Sequence, residues 1–326
     1  MRNPTAADAV SELAELVLPW LPPPDLAAAA SASRAMRAAA SAVTARRAAD
    51  SARGLEAFPA PFVNPIDSQP YSYFIYTPFS LIPSAASFHA QPWGCAWSRT
   101  PGPTWPRPDL GLPLAGCSCA RGECGGAACA CADAEAEAAD ASGAGMASLS
   151  ECGDGCACGP SCENRRTQRG VTVRLRVLRQ LKKGWALHAA EVIHRGQFVC
   201  EYAEEARRRH RLYDELASVG KLSPALLVIR EHLPSGRVCM RVNIDATKVG
   251  NVARFINHSC DGGNLRPILV RSSGSLLPRL CLFAARDIVD GEELAFSYGD
   301  AKPNPKGLPC FCESSCCPGV LPAEET

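Results

Sequence analysis

Residues 254–260 read RFINHSC. A histidine and a cysteine two positions apart admit three chemistries. They can be a nucleophile beside its base, two metal ligands, or a cofactor contact next to a single ligand. The choice turns on the other cysteines of the chain.

The sequence has 326 residues, 18 cysteines and a formal net charge of +1. That length suits two ordinary domains or one domain with appendages. A charge so close to zero makes no case for non-specific nucleic-acid binding, and no motif for sequence-specific DNA binding is evident. No run of 18 apolar residues suits a membrane span. The N-terminus lacks the charged start, apolar block and cleavage site of a signal peptide. The expected setting is intracellular and reducing, where clustered thiols read as metal ligands rather than disulfides.

Nine cysteines form a first group: Cys117, Cys119, Cys124, Cys129, Cys131, Cys152, Cys156, Cys158 and Cys162. Zinc takes four thiolates in a tetrahedron. Nine thiolates serve two separate sites with one to spare, or three zincs if three sulfurs bridge. The Cys-x-Cys pairs favour the shared cluster, because neighbouring thiolates reach adjacent metals. A disulfide-rich loop is the competing reading, but Cys-x-Cys partners do not readily bridge each other. With so few apolar residues here, metal binding would itself drive folding.

A second group, Cys310, Cys312 and Cys317, is one thiolate short of a tetrahedron. Cys260 of the opening stretch is the best fourth ligand. The other late cysteines (Cys200, Cys239 and Cys281) lie in apolar strand-like runs and read as small buried hydrophobes. Cys316 is a spare thiol that could replace Cys317.

The remaining chain divides by texture. Residues 1–57 are rich in Ala and Leu at helical spacing. Their Leu-Pro-Trp-Leu-Pro stretch weakly resembles the start of an F-box-like module, a route to a protein partner; the plainer reading is a helical appendage. PYSYFIYTPF (70–79) suits an extended segment, and residues 83–115 read as an irregular linker. Residues 132–151 read as a mobile loop. From residue 171, VTVRLRVL, GQFVCEY and RLCLFAARDI read as strands, and EEARRRHRLYDELA (204–217) as a helix. The expected class is α+β, mostly β. The RRRHR run (207–211) is either a solvated helix face or an import patch.

Taken together, the nine-cysteine block, KKGWAL (182–187), CEYA (200–203), IDATKVGNVARFINHSC (244–260), EELAFSYGD (292–300) and the final Cys-x-Cys-x4-Cys resemble the pre-SET, SET and post-SET array of histone lysine methyltransferases. The resemblance is to the SUV group, nearest its plant SUVR-type members, and covers about residues 58–322. It implies a SET fold of small β-sheets with a pseudoknot, flanked by zinc modules. The implied divisions are a helical appendage (1–57), an N-terminal segment and linker (58–116), pre-SET (117–170), SET (171–300), a linker (301–309) and post-SET (310–326).

The resemblance also implies the chemistry. The family transfers a methyl group from S-adenosylmethionine to a lysine amine, here by resemblance lysine-9 of the histone H3 tail, in nuclear chromatin. Lys183, Gly184, Trp185, Arg254, Phe255, Asn257 and His258 match cofactor-binding positions. Tyr298 and Tyr202 match the catalytic tyrosines, and Phe296 the position that sets the methylation state. Three zincs are implied in the first cysteine group and one in the second, with Cys260 as its fourth ligand.

The chain departs from the family pattern after Tyr202. Ala203, Glu204, Glu205, Ala206 and Arg207–Arg209 stand where relatives run Tyr-x-Gly-Glu into a short strand. The segment is about six residues short, roughly 20 Å of extended chain. A catalytically weakened protein that binds chromatin without modifying it is therefore the alternative reading. Ala186, Ala225 and Val320 replace a glycine and two aromatics, which would widen the pocket.

Overall fold

The computed structural model describes residues 6–80, 91–96, 116–119, 124, 129, 131, 147–203, 226–232, 239–245, 248–275, 278–299 and 308–322. The predicted helix at 204–217, the shortened segment after Tyr202, the basic run at 207–211 and Ala225 lie outside the described residues.

Three helices open the chain: α1 (Ala6–Val17), α2 (Pro23–Ala32) and α3 (Arg34–Ala49). Ser33 caps α3 by accepting from the Met36 N–H at 3.1 Å, which satisfies a donor the helix start would leave bare. Leu18, Leu26, Ala40 and Val43 form a small core of their own. A polar clamp joins this core to the rest. Arg47, fully buried in the last turn of α3, donates to the carbonyls of Trp93 (2.9 Å), Pro19 (3.1 Å) and Leu21 (2.8 Å) and to the Tyr71 hydroxyl (3.0 Å). Its guanidinium also faces the Tyr71, Tyr73 and Trp93 rings. Gly94, at φ +82°, lets the backbone close on α3; a Cβ there would sit 2.6 Å from the Val43 carbonyl oxygen.

The strands that follow are short and pair far along the chain. β1 (Phe62–Val63) runs parallel to β4 (Leu175–Gln180), which pairs antiparallel with β5 (Gly184–Ala189). β2 (Ile75–Tyr76) runs parallel to β9 (Val249–Gly250). A four-stranded sheet has the order β3 (Ser148–Glu151), β11 (Leu265–Ser272), β12 (Arg279–Ala284), β6 (Phe198–Glu201). β7 (Leu226–His232) and β8 (Cys239–Asp245) pair antiparallel. β10 (Asn257–His258) runs parallel to β13 (Ala295–Phe296). Val177, Leu187, Ile193, Val199, Leu282, Ile288 and Leu294 pack in one core.

The strands expected in VTVRLRVL, GQFVCEY and RLCLFAARDI are present as β4, β6 and β12. β4 follows its alternation, with Leu175 and Val177 buried and Arg176 and Leu178 partly exposed. One reading is corrected. Residues 148–151, taken as the end of a mobile loop, form β3, because the parallel register of β11 supplies their hydrogen bonds. SLSE carries too little apolar pattern to mark a strand. Segments 58–80 and 91–96 are also bound into the core. Phe62 meets Trp185 at 5.1 Å and Phe255 at 5.6 Å, and Phe74 meets Phe255 at 5.6 Å, all edge to face.

Glu56 joins the N-terminal segment to residue 171. Its carboxylate accepts from the Tyr76 hydroxyl at 2.7 Å and the Val171 N–H at 2.8 Å. Burial pushes its pKa up to about 7, outweighing those two bonds.

Two predictions arise here. A raised carboxyl pKa favours the folded state fully below the unfolded value near 4.5, and that contribution is lost as pH rises to about 7. Glu56→Gln should therefore match the native chain in stability near pH 4.5 and exceed it near pH 8 by up to about 3 kcal/mol, read by denaturant unfolding at both pH values. Arg47→Met leaves several buried carbonyls without a donor and should cost about 3 kcal/mol or more; a loss under about 1 kcal/mol in the same assay would contradict the clamp.

Candidate active site and cysteine clusters

The opening stretch RFINHSC is held from both ends. Asn251 caps the short turn Val252–Phe255, accepting from the Ala253 N–H at 3.0 Å and donating to the Glu201 carbonyl at 2.7 Å. The chain then enters β10, where Asn257 faces Ala295 and His258 faces Phe296. Gly263 (φ +69°) lies flat against the Ala295 backbone, and any Cβ there would collide with its carbonyl.

This pairing gathers three aromatic rings. Phe296, buried, stands 5.1 Å from the Tyr298 ring and 6.4 Å from the Tyr202 ring. The Tyr298 hydroxyl donates to the Ile256 carbonyl at 2.5 Å. Burial raises its pKa, with Glu293 adding to the effect, so the phenol keeps its proton. The Tyr298 N–H donates to His258 Nδ1 at 3.1 Å. That bond assigns the imidazole proton to Nε2, which lies 3.2 Å from Cys260 Sγ. Burial lowers the His258 pKa against the opposing pull of Asp261, so the ring is neutral near pH 7. His258 thus links the last strand to a thiol of the second cysteine group.

On the other side of β10, Asn257 Nδ2 donates to Glu293 Oε1 at 3.0 Å. Lys183 Nζ donates to Glu293 Oε2 at 2.8 Å and Gln180 to the same oxygen at 3.0 Å. Burial alone would raise the Glu293 pKa; the bonds from Lys183, Gln180 and Asn257 outweigh it and lower it. Glu293 is the residue that sequence reasoning missed. It stood in the quoted EELAFSYGD, and its only signal was an acidic residue directly before a buried Leu294.

The other expected site residues are placed differently. Gly184 opens β5 at φ +81°. The Trp185 ring packs on Phe62 and under the Arg179 guanidinium, 5.3 Å away. Its indole N–H is buried with no acceptor among the described residues. Arg254 lies over the Phe74 ring at 4.5 Å, and Phe255 is buried between Phe62 and Phe74. Both side chains pack against the N-terminal aromatic segment.

The thiols meet as the spacing predicts. The Sγ atoms of Cys117, Cys119, Cys124 and Cys129 lie within 4.8 Å of one another, as do those of Cys117, Cys131, Cys152 and Cys156, and of Cys117, Cys124, Cys152 and Cys158. Cys162 is buried in the same cluster. Cys260, Cys310, Cys312 and Cys317 form a separate group of the same size; Cys316 is exposed and outside it. Four sulfurs about 2.3 Å from one zinc are about 3.8 Å apart. Cys117 is 3.8 Å from both Cys124 and Cys152, and Cys260 is 3.8 Å from Cys310. A disulfide needs about 2.05 Å. Both groups therefore fit zinc. The Arg165 guanidinium, 3.6 Å from Cys158 Sγ, offsets the cluster's negative charge. Against burial, it and the neighbouring thiols bring Cys158 down to about 7. Cys200 and Cys281 are buried in the sheet, as expected of small hydrophobes.

Short interleaved sheets with a two-residue parallel pair and two separate thiol clusters suit a SET-type fold. The SET domain family model matches residues 184–299. The chain is 48% identical to histone-lysine N-methyltransferase SUVR3 of Arabidopsis thaliana, over 98% of this chain and 94% of that protein. The chain belongs to the SET-domain family of histone-lysine N-methyltransferases. Among solved structures, the methyltransferase domain of human SETMAR superposes with a TM-score of 0.64 at 30% identity, covering 84% of this chain and 97% of that one. KRYPTONITE in complex with mCHH DNA, an H3(1-15) peptide and SAH superposes with a TM-score of 0.58 at 29% identity, over 84% of this chain and 53% of that one.

The second thiol group yields a direct test. Cys260→Ser should lower bound zinc by about one atom per chain and leave the first cluster loaded, read by elemental analysis of purified protein. An unchanged count would remove Cys260 from the ligand set.

Proposed function

We propose that this chain methylates lysine-9 of the histone H3 tail, with S-adenosylmethionine as donor, in silenced nuclear chromatin. The observation that carries the reading is the convergence of Tyr202, Phe296 and Tyr298 beside β10. The H3(1-15) peptide and SAH in the KRYPTONITE complex, from a relative of the same fold, support the substrate and donor.

The residues present fit the donor. Lys183 and Glu293 offer one charge of each sign beside Asn257, suited to the zwitterionic end of an amino-acid cofactor. The free Trp185 indole N–H adds a donor. We assign Lys183, Gly184, Trp185, Asn257 and His258 to holding the cofactor. Arg254 and Phe255 hold their segment against Phe74 and Phe62. S-adenosylmethionine supplies the methyl group.

The chain's own task is alignment and proton control. A free lysine amine has a pKa near about 10.4 and is a nucleophile only when neutral. Aromatic walls of Tyr202, Phe296 and Tyr298 disfavour the ammonium form by desolvation. The Ile256 carbonyl and the protonated Tyr298 hydroxyl orient the amine by hydrogen bonds. Phe296, lacking a hydroxyl, leaves room for more than one methyl. In the first cluster the nine thiolates would hold structural zinc, three ions if three sulfurs are shared; Cys117, Cys124 and Cys152 recur among its four-thiol groups. The divisions 1–57, 58–116, 117–170, 171–300, 301–309 and 310–326 are proposed as functional units. Exposed Leu13, Leu16, Val17 and Trp20 support a protein-contact role for the first.

The test is the purified full chain with radiolabelled S-adenosylmethionine and core histones. Label on H3 is expected. It should vanish when the histone carries arginine in place of lysine-9, and fall at least about 100-fold in Tyr298→Phe and Asn257→Ala. Cofactor binding without label would favour the chromatin-binding reading that the shortened segment after Tyr202 motivates. Elemental analysis should find about four zincs; about two would exclude the bridged core.

A further inference from the structure

Arg279 opens β12 and reaches across the four-stranded sheet. Its guanidinium pairs with Glu151 at 3.0 Å and with Glu201 at 3.3 Å. It also donates to the Thr167 hydroxyl at 2.7 Å, and that hydroxyl donates to Glu151 at 2.8 Å. Glu151 and Glu201 are 1% and 3% exposed, so among the described residues one guanidinium serves two carboxylates withdrawn from water. Buried charges so arranged are held by their partners far more tightly than a surface pair. Burial works against the arginine's charge, but Glu201 and Glu151 outweigh it.

The positions of the two carboxylates give the arrangement its meaning. Glu151 directly precedes Cys152, which recurs among the sulfur groups of the first cluster. Glu201 directly precedes Tyr202 and ends β6. The Tyr202 N–H donates to the Leu280 carbonyl, next to Arg279, at 2.8 Å. The remaining contacts of Glu201 also lead to the site. Its other carboxylate oxygen accepts from the Ser80 N–H at 2.9 Å, and its carbonyl accepts from Asn251, the cap of the RFINHSC turn.

We propose that Arg279 is a positioning residue for methyl transfer: it fixes Tyr202 by tying the end of β6 to the first cysteine cluster. The inference rests on the assignment of Tyr202 to the reaction made above. Among the described residues Arg279 meets Glu151, Glu201, Thr167 and Ser272, and it acts on Tyr202 through Glu201. Without it two buried carboxylates face each other across the sheet, and β6 shifts at its end. A displacement near one ångström at a reacting group costs on the order of 100-fold in rate.

The test compares native chain, Arg279→Met, Arg279→Lys and Thr167→Val, each full length. Arg279→Met should lower kcat by about 10- to 100-fold, with the KM for S-adenosylmethionine within about twofold and the zinc count unchanged. Arg279→Lys should recover part of the loss, because one ammonium can pair with one carboxylate but not fork to both. Hydrogen exchange at residues 200–203 should quicken about tenfold in Arg279→Met and less in Arg279→Lys. Zinc removal from the native chain should quicken the same amides. A folded Arg279→Met with native kcat and native exchange would overturn the inference. If Arg279→Met does not fold, Thr167→Val, isosteric and short of one link, decides: slower turnover and faster exchange at 200–203 support the tie, and native values sink it. If the native chain shows no methyl transfer, the assignment of Tyr202 fails by itself, and the exchange data still decide whether Arg279 fixes the end of β6.

Discussion

The molecule depends on a parallel pairing only two residues long. Asn257 and His258 lie against Ala295 and Phe296, and that contact places the groups on both strands. It brings Tyr298 over the Ile256 carbonyl, turns His258 toward Cys260 and sets Asn257 on Glu293. A two-residue ladder has little strength of its own. Its neighbours hold it: the Asn251 cap on one side, the glycine at 263 on another, and the buried core under Leu294 and Phe296.

Long-range ties repeat throughout the chain. β1 and β2 come from residues before the first cysteine group, yet pair with β4 and β9; β3 pairs with β11. Arg47 brings the N-terminal helices onto the aromatic segment, whose Phe62 and Phe74 grip Phe255. The Val252–Phe255 turn is thus packed from the first 80 residues, although its own sequence gives no sign of it.

Electrostatics within the fold follow one pattern. Buried and half-buried carboxylates are used as junctions between distant segments: Glu56 joins residues 76 and 171, Glu293 joins 180, 183 and 257, and Arg279 joins Glu151 to Glu201. Each junction withdraws charge from water and is tolerable because donors converge on it. Glu56, with two neutral donors, keeps a raised pKa; Glu293, beside a lysine, does not.

The sequence by itself determined the chemistry-bearing inventory. Three late thiols lacking a fourth pointed to Cys260, and nine clustered cysteines pointed to shared metal, because coordination number is a count that spacing can satisfy. The strand alternation of β4 and the apolar runs of β6 and β12 were legible for the same reason: their period is local. The tertiary structure alone decided what depends on distant pairing. It made a strand of residues 148–151, placed Cys317 and not Cys316 in the second thiol group, revealed Glu293 as the common partner of Lys183 and Asn257, buried Arg47 and half-buried Arg279. In a linear chain these are ordinary polar residues. Their roles arise only when segments distant in the chain close around them, as Arg47 and Trp93 do across 46 positions and Lys183 and Glu293 across 110.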